Sequence, residues 1–268
     1  MNQKSSSAPR VRFLSSTISV LLASAMCGQV MAQEAGDESA AGALEEVIVT
    51  ATKRAENIQD IPVSITALSS SEIDQISAGV PDIRFMNGRV ANLTIESSFG
   101  RVFPRFYIRG YGNTDFDLNA SQPVSLVMDE VVQENPILKG FPVFDVERIE
   151  VLRGPQGTLF GRITPAGIVK IDSVKPVGVP DGYFKASYGS YNATRVEGAL
   201  GTGWDNGWST RLSVLYQRQD DYVDNGFTGE KDAYEGFSEW AARFQLAYDN
   251  GGPFRALFNL HGRDLDGS

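Results

Sequence analysis

The chain has 268 residues, with 24 Lys and Arg against 33 Asp and Glu, one His, one Cys and a formal charge of −9. So acidic a balance without a basic patch excludes a nucleic-acid partner, because nothing is there to meet phosphates. The lone cysteine, Cys27, excludes an internal disulfide.

Residues 1–32 read as a targeting segment. Lys4, Arg10 and Arg12 form a basic start, Phe13 to Ala25 is apolar, and Val30-Met31-Ala32 is a small-residue cleavage site. The apolar run is shorter than the roughly 20 residues of a spanning helix, which predicts a cleaved secretory signal rather than an anchor. Met26 stands where a lipoprotein signal needs a small residue, so Cys27 is not expected to be lipidated. Cleavage would leave 236 residues (268 − 32) from Gln33, with a charge of −12 (21 − 33).

Residues 33–57 begin small and acidic (QEAGDESAAGALEE), bury too little apolar surface to fold, and are expected to be mobile at first. They then turn abruptly β-branched at Val47-Ile48-Val49-Thr50. Two readings fit this run. It is a free strand that adds to another protein's sheet, at about 0.5–1.5 kcal/mol per backbone hydrogen bond, or it is the first strand of the domain that follows.

Residues 58–177 predict a compact domain of mixed α and β structure. Pro62 to Leu68 reads as a strand, and Ser69-x-x-Glu72 as a capping box opening a short helix that stops near Gly79 and Pro81. Further strand-like runs surround Leu93–Ile95, Phe106–Ile108, Val124–Met128, Ile149–Leu152 and Ile168–Ile171, with polar loops at 110–122 and 133–142. The run DVERIEVLRGPQGTLFGR (145–162) is unusual. It alternates apolar residues with charges and ends in Gly154-Pro155, which must turn sharply.

From Asp181 the period becomes two. Trp208, Thr210, Leu212, Val214 and Tyr216 share a face opposite Ser209, Arg211, Ser213, Leu215 and Gln217. Trp240, Ala242, Phe244, Leu246 and Tyr248 oppose Arg243, Gln245 and Asp249, while Phe254, Ala256, Phe258 and Leu260 oppose Arg255, Asn259, His261 and Arg263. A soluble sandwich would give the same alternation. Tyrosine and tryptophan at the strand ends, with Asp, Asn and Gly in the turns, favour strands that face lipid.

No catalytic constellation is present. His261, the sole histidine, reads as a strand residue. Gly154, Gly157 and Gly161 make no nucleotide fingerprint, and Asp220 to Asp232 lacks EF-hand spacing. Neither enzyme activity, metal nor cofactor is expected.

The chain resembles the N-terminal part of a TonB-dependent outer-membrane receptor. LEEVIVTATKR (44–54) is similar to the TonB box and its sequel. FYIRGYG (106–112), VSLVMDEVVQ (124–133), DVERIEVLRGPQGTLFGR and AGIVKIDSVKP (166–176) resemble successive plug signatures in the family's order. The resemblance implies an α+β plug domain followed by the first antiparallel strands of an incomplete transmembrane β-barrel. The parts are a signal peptide (1–32), a flexible segment with the TonB box (33–57), the plug (58–177) and the start of the barrel (181–268). The last part holds about five strands at roughly 9–11 residues each. Five cannot close where a plugged transporter has about 22, so the sequence is expected to be a piece of a longer receptor.

The resemblance also implies roles. Glu46, Val47, Ile48, Val49 and Thr50 would pair with TonB in the periplasm. Arg109, Gly110, Asp129, Arg148, Glu150, Arg153 and Gly154 would be plug signature residues in contact with the barrel, whose wet interior tolerates a charged strand. Tyr111, Asn113, Asp115, Gln133 and Asn135 would meet an extracellular small-molecule ligand: a siderophore, a sugar or cobalamin. The implied protein is a monomer among outer-membrane lipids. A soluble periplasmic plug-like binding module is the rival. Three departures concern turns: Ile163 and Ala166 where the family has Asn and Gly, and Glu130 where Gly is commoner.

Overall fold

The structure, a computed structural model, describes residues 47–50, 52–77, 82–97, 100–115, 117, 119–161 and 164–267. The expected signal segment, Glu46, the helix stop at Gly79 and Pro81, and Ile163 lie outside the described residues.

The chain opens with a two-strand hairpin, β1 (Ile48–Val49) against β2 (Glu56–Asn57). Next come β3 (Ser64–Ser69) and helix α1 (Ser70–Ile76). The helix starts where the capping box predicts, with Ser69 and Glu72 exchanging side-chain and backbone bonds. Strands β4 (Leu93–Glu96) and β5 (Arg105–Ile108) form a separate antiparallel pair. Strands β6 (Val124–Met128), β7 (Val131–Gln133) and β8 (Val146–Arg153) follow, then the single turn α2 (Gly157–Phe160) and β9 (Gly167–Ser173).

The central sheet runs β3-β8-β9-β6-β7, antiparallel except for β6 beside β9. Its two faces differ in chemistry. On one, Ile149, Val151, Val169, Ile171, Val124 and Leu126 pack with Ile73 of α1, Phe85, Ile95 and Phe106 into the main core. On the other, Val127, Leu152 and Ile168 meet Phe160 at one end. Toward the other end the cross-strand pairs are Glu150 opposite Lys170 and Arg148 opposite Asp172. The polar strand of the sequence thus has one apolar face and one half-ionic face.

The β6–β7 hairpin turns on Asp129 and Glu130, both at positive φ (47° and 69°), as a two-residue type I′ connection requires. The Glu130 departure therefore leaves the turn in place. At the glycine-proline corner Gly154 has φ 103° and donates to the Ala166 carbonyl (2.9 Å), so the Ala166 turn also closes. Gly167 cannot be replaced there, since a Cβ would sit 2.2 Å from the Leu152 oxygen.

Strands β10 (Asp181–Tyr188), β11 (Thr194–Gly203), β12 (Trp208–Gln219), β13 (Phe237–Asp249) and β14 (Arg255–Gly267) form an antiparallel meander in chain order. Among the described residues this wall is an open sheet. Short turns at 204–207 and 250–254 mark one end and the long loop 220–236 the other, the asymmetry of an outer-membrane barrel. Trp208, Leu212, Val214, Tyr216, Trp240 and Phe244 are exposed on one face. Ser209, Arg211, Ser213, Gln217, Glu239, Arg243 and Gln245 are buried on the other. Aromatic clusters stand at both ends: Trp208–Tyr248 (5.0 Å between ring centres) by the turns and Tyr191–Tyr222 (4.7 Å) by the loops. The alternation therefore runs as read, apolar side outward.

Candidate functional site

Two polar sites flank the central sheet. The first is its contact with the wall. Asp145, at φ 50°, directs a buried carboxylate to Arg211 (2.7 and 2.8 Å, two-pronged) and to the Ser213 hydroxyl. Arg243, fully buried, donates to the Phe144 and Asp145 carbonyls (2.9 and 2.7 Å). Arg195 holds the Val143 carbonyl (2.9 Å) and Arg263 the Gly140 and Ile137 carbonyls. Asp129 accepts from Asn259 of β14 (2.8 Å), from Ser173 and from Lys175. Burial pushes its carboxyl up, but the Lys175 ammonium and the Ser173 donors outweigh that and hold it low. Charged groups buried like this cost several kcal/mol unless paired, and here arginine forks and carboxylates pair them.

The second site lies over the ionic half-face. Thr50, at the end of the β1 run, donates its amide to Glu150 Oε1 (2.7 Å), and Lys170 Nζ donates to the Thr50 hydroxyl (2.8 Å). Lys170 also bonds Asp172 (2.5 and 2.6 Å) and pairs with Glu130 (3.2 Å). Arg148 reaches the Ile48 carbonyl (3.3 Å), and Val49 is wholly buried. Burial pushes Glu150 up. It also works against the Lys170 charge, which Asp172 more than restores. A cleft of about 290 Å³ adjoins the site, with Lys53, Arg54 and Lys175 on its walls.

These placements correct two sequence expectations. Arg148, Glu150 and Arg153 were expected at the barrel contact. Instead Arg148 and Glu150 face the 47–50 run, and Arg153 donates to the Ala91 carbonyl (3.0 and 2.8 Å) and Thr66 (2.7 Å) inside the plug. The wall is met by Asp129, through Asn259, and by Asp145, through Arg211. Gln133 was expected in a polar loop. It ends strand β7, opposite Leu126, and is buried. Arg109 and Gly110, both at positive φ, form the turn after β5, where the Arg109 amide donates to the Asn92 carbonyl (2.9 Å). Tyr111 is exposed beyond it. Asn113 caps the Asp115 amide (2.9 Å) and Asn135 the Ile137 amide (2.9 Å), each side chain shaping its own loop. Val47–Thr50 contains strand β1, which pairs with β2 in a two-stranded sheet separate from the central sheet.

An α+β body is seated by hydrogen bonds on the hydrophilic side of a wall whose other side is apolar, the arrangement of a plug domain beside strands that resemble those of a receptor barrel. Residues 57–168 match the TonB-dependent receptor plug domain, and the chain is similar to the N-terminal part of TonB-dependent receptors. It is 30% identical over 190 residues to the pesticin receptor of Yersinia pestis, covering 69% of this chain and 27% of that protein. It is 29% identical over 133 residues to the vitamin B12 transporter of Vibrio vulnificus, covering 47% and 20%. The crystal structure of the ferric yersiniabactin uptake receptor of Yersinia pestis superposes with a TM-score of 0.67 at 27% identity, over 76% of this chain and 32% of that one. The pyoverdine outer-membrane receptor of Pseudomonas aeruginosa, at 17% identity and a TM-score of 0.64 over 81% of this chain and 30% of that one, shares the fold. The chain spans about a quarter of the length of the curated relatives it matches. The matched proteins are transport receptors rather than enzymes.

Proposed function

We propose that this chain forms the plug and adjoining wall of a receptor for energy-coupled uptake of a scarce ligand, foremost an iron–siderophore, across an outer membrane. The observation that carries the reading is the hydrophilic seam between plug and wall. Its arginine–carboxylate and arginine–carbonyl bonds can be exchanged for bonds to water, so a pull can shift the plug without exposing a greasy core. In this reading the signal is cleaved after Ala32 and Glu46–Thr50 pairs as a strand with TonB. Tyr111, Asn113, Asp115 and Asn135 meet the ligand at the loop end, and the receptor acts as a monomer. The signature turn Arg109-Gly110 and the corner at Gly154 hold the plug's shape.

Supplying a panel of ferric hydroxamates, catecholates and mixed chelates to an iron-starved host tests this. One chelate class should enter only when both this gene and TonB are present. Uptake that persists without TonB, or that no ferric chelate shows, refutes it. The similarity to a vitamin B12 transporter makes cobalamin the second cargo to assay.

A further inference from the structure

The outward face of the wall changes character along one line. The cross-strand neighbours Tyr188, Thr194, Arg218, Ser238 and Asp266 form a single polar row over β10 to β14. Two residues toward the short turns, the next row reads Val196, Tyr216 and Trp240, with Asp264 at the edge. Leu212, Val214 and Phe244 continue the exposed apolar band below it. An apolar band bounded by aromatic residues marks the hydrocarbon, so the polar row stands at headgroup height on the long-loop side. Its side chains are already fastened to one another. The Tyr188 hydroxyl donates to Asn192 Oδ1 (2.5 Å), Asn192 Nδ2 donates to Asp220 Oδ2 (2.6 Å), and Arg218 Nη2 donates to Asp220 Oδ1 (2.8 Å). The Tyr191 ring stacks on Tyr222, with 4.7 Å between centres. A cleft of about 870 Å³ opens between this row and the base of loop 220–236, lined by Tyr191, Asn192, Arg218, Asp220, Ser238 and Asp266.

We propose that this cleft binds the saccharide headgroup of an outer-leaflet glycolipid, with the acyl chains lying on Leu212, Tyr216 and Trp240 below. The inference rests on the barrel reading above. Sugar hydroxyls both donate and accept, and the cleft offers an amide, carboxylates, a guanidinium fork and a serine hydroxyl to meet them. The tyrosine pair adds a flat apolar surface for the C–H side of a sugar ring. A headgroup that is phosphate alone fits less well, because the carboxylates of Asp220 and Asp266 stand beside Arg218 and repel it. A membrane-borne sugar is chosen over a free one because the apolar band begins one row beneath the cleft, where a tethered chain must lie.

The test uses the full receptor purified from outer membranes, stripped of lipid in detergent and titrated with rough lipopolysaccharide, the retained lipid being counted by native mass spectrometry. Arg218→Ala and Tyr191→Ala should each raise the apparent Kd on the order of tenfold, the effect of losing a hydrogen bond to a charged group or a stacking surface of similar worth. Arg218→Lys keeps the charge without the fork and should fall between. Heat-modifiable migration shows that each variant is folded; if Arg218→Ala is not, Arg218→Lys and Tyr191→Ala carry the comparison. Variants that bind as tightly as the parent overturn the inference. So does phosphatidylglycerol that displaces the lipopolysaccharide as well as the unlabelled glycolipid does, since charge alone would then explain the binding. Free core oligosaccharide that competes equally well overturns it too, making this a site for a soluble sugar. A receptor that imports chelate yet retains lipopolysaccharide no better than phosphatidylglycerol overturns this inference alone. One that retains lipopolysaccharide through Arg218 and Tyr191 but imports no chelate upholds it and overturns the uptake reading.

Discussion

Replacing Asp145 by asparagine keeps the shape of the side chain and tolerates the positive φ of 50°, but removes the charge that two wall arginines share. Arg211 retains Asp181 (2.5 Å), whereas Arg243 already has Nε and Nη1 without a partner and would keep only the carbonyls of Phe144 and Asp145. Removing one member of a buried pair costs about 3–5 kcal/mol. The amide oxygen still accepts one bond, so the lower end, about 3 kcal/mol, is expected. At roughly 1–3 kcal/mol per molar urea, the plug's unfolding midpoint, read by pulse proteolysis in detergent, should fall by about 1–3 M. Arg211→Met in the same background should cost less than it does alone, because the two residues share one interaction. A change within about 0.5 kcal/mol for Asp145→Asn, typical of a surface site, or strict additivity of the pair, would refute the view that Asp145 seats the plug.

Other consequences can be checked separately. Leu212→Arg, on the outward face of β12, should cost about 2–4 kcal/mol if that residue lies near the bilayer midplane, and Gln217→Arg on the inward face should not behave as a lipid-facing charge. Heat-modifiable migration of the folded receptor would report both. Lys139 is buried with its ammonium donating to the Val124 carbonyl (2.9 Å), and burial lowers its pKa from 10.5 to about 8. A base lowered on folding costs stability while protonated, so stability should rise between pH 8 and 10.5 by roughly 3 kcal/mol at 1.36 kcal/mol per unit. Lys139→Met should flatten that rise in urea titrations across the range.

What the sequence made legible was local. Period-two alternation past Asp181 reports its own faces, because neighbours along a strand point opposite ways, and the Ser69–Glu72 box spans only three residues. Strand β7 escaped because it has three residues and its turn is Asp129-Glu130 instead of a glycine-bearing pair. The docking of the box escaped for another reason. Thr50 finds its partners 100 and 122 positions away, at Glu150 and Asp172, and no local pattern encodes such a pairing. The same holds for Asp145, whose sequence neighbours show that it is charged but not that Arg211 waits 66 positions on.

The wall's arginines grasp the segment 137–145 largely by its peptide carbonyls: Ile137, Gly140, Val143, Phe144 and Asp145. Such a grip reads the route of the chain and is blind to most of its lettering. Side chains along this stretch can drift as far as packing allows without loosening it, whereas inserting or deleting a single residue would carry several oxygens out of reach together. A foreign stopper with the same backbone course and an acid at position 145 would fit this socket, which makes the segment a natural joint for building hybrids.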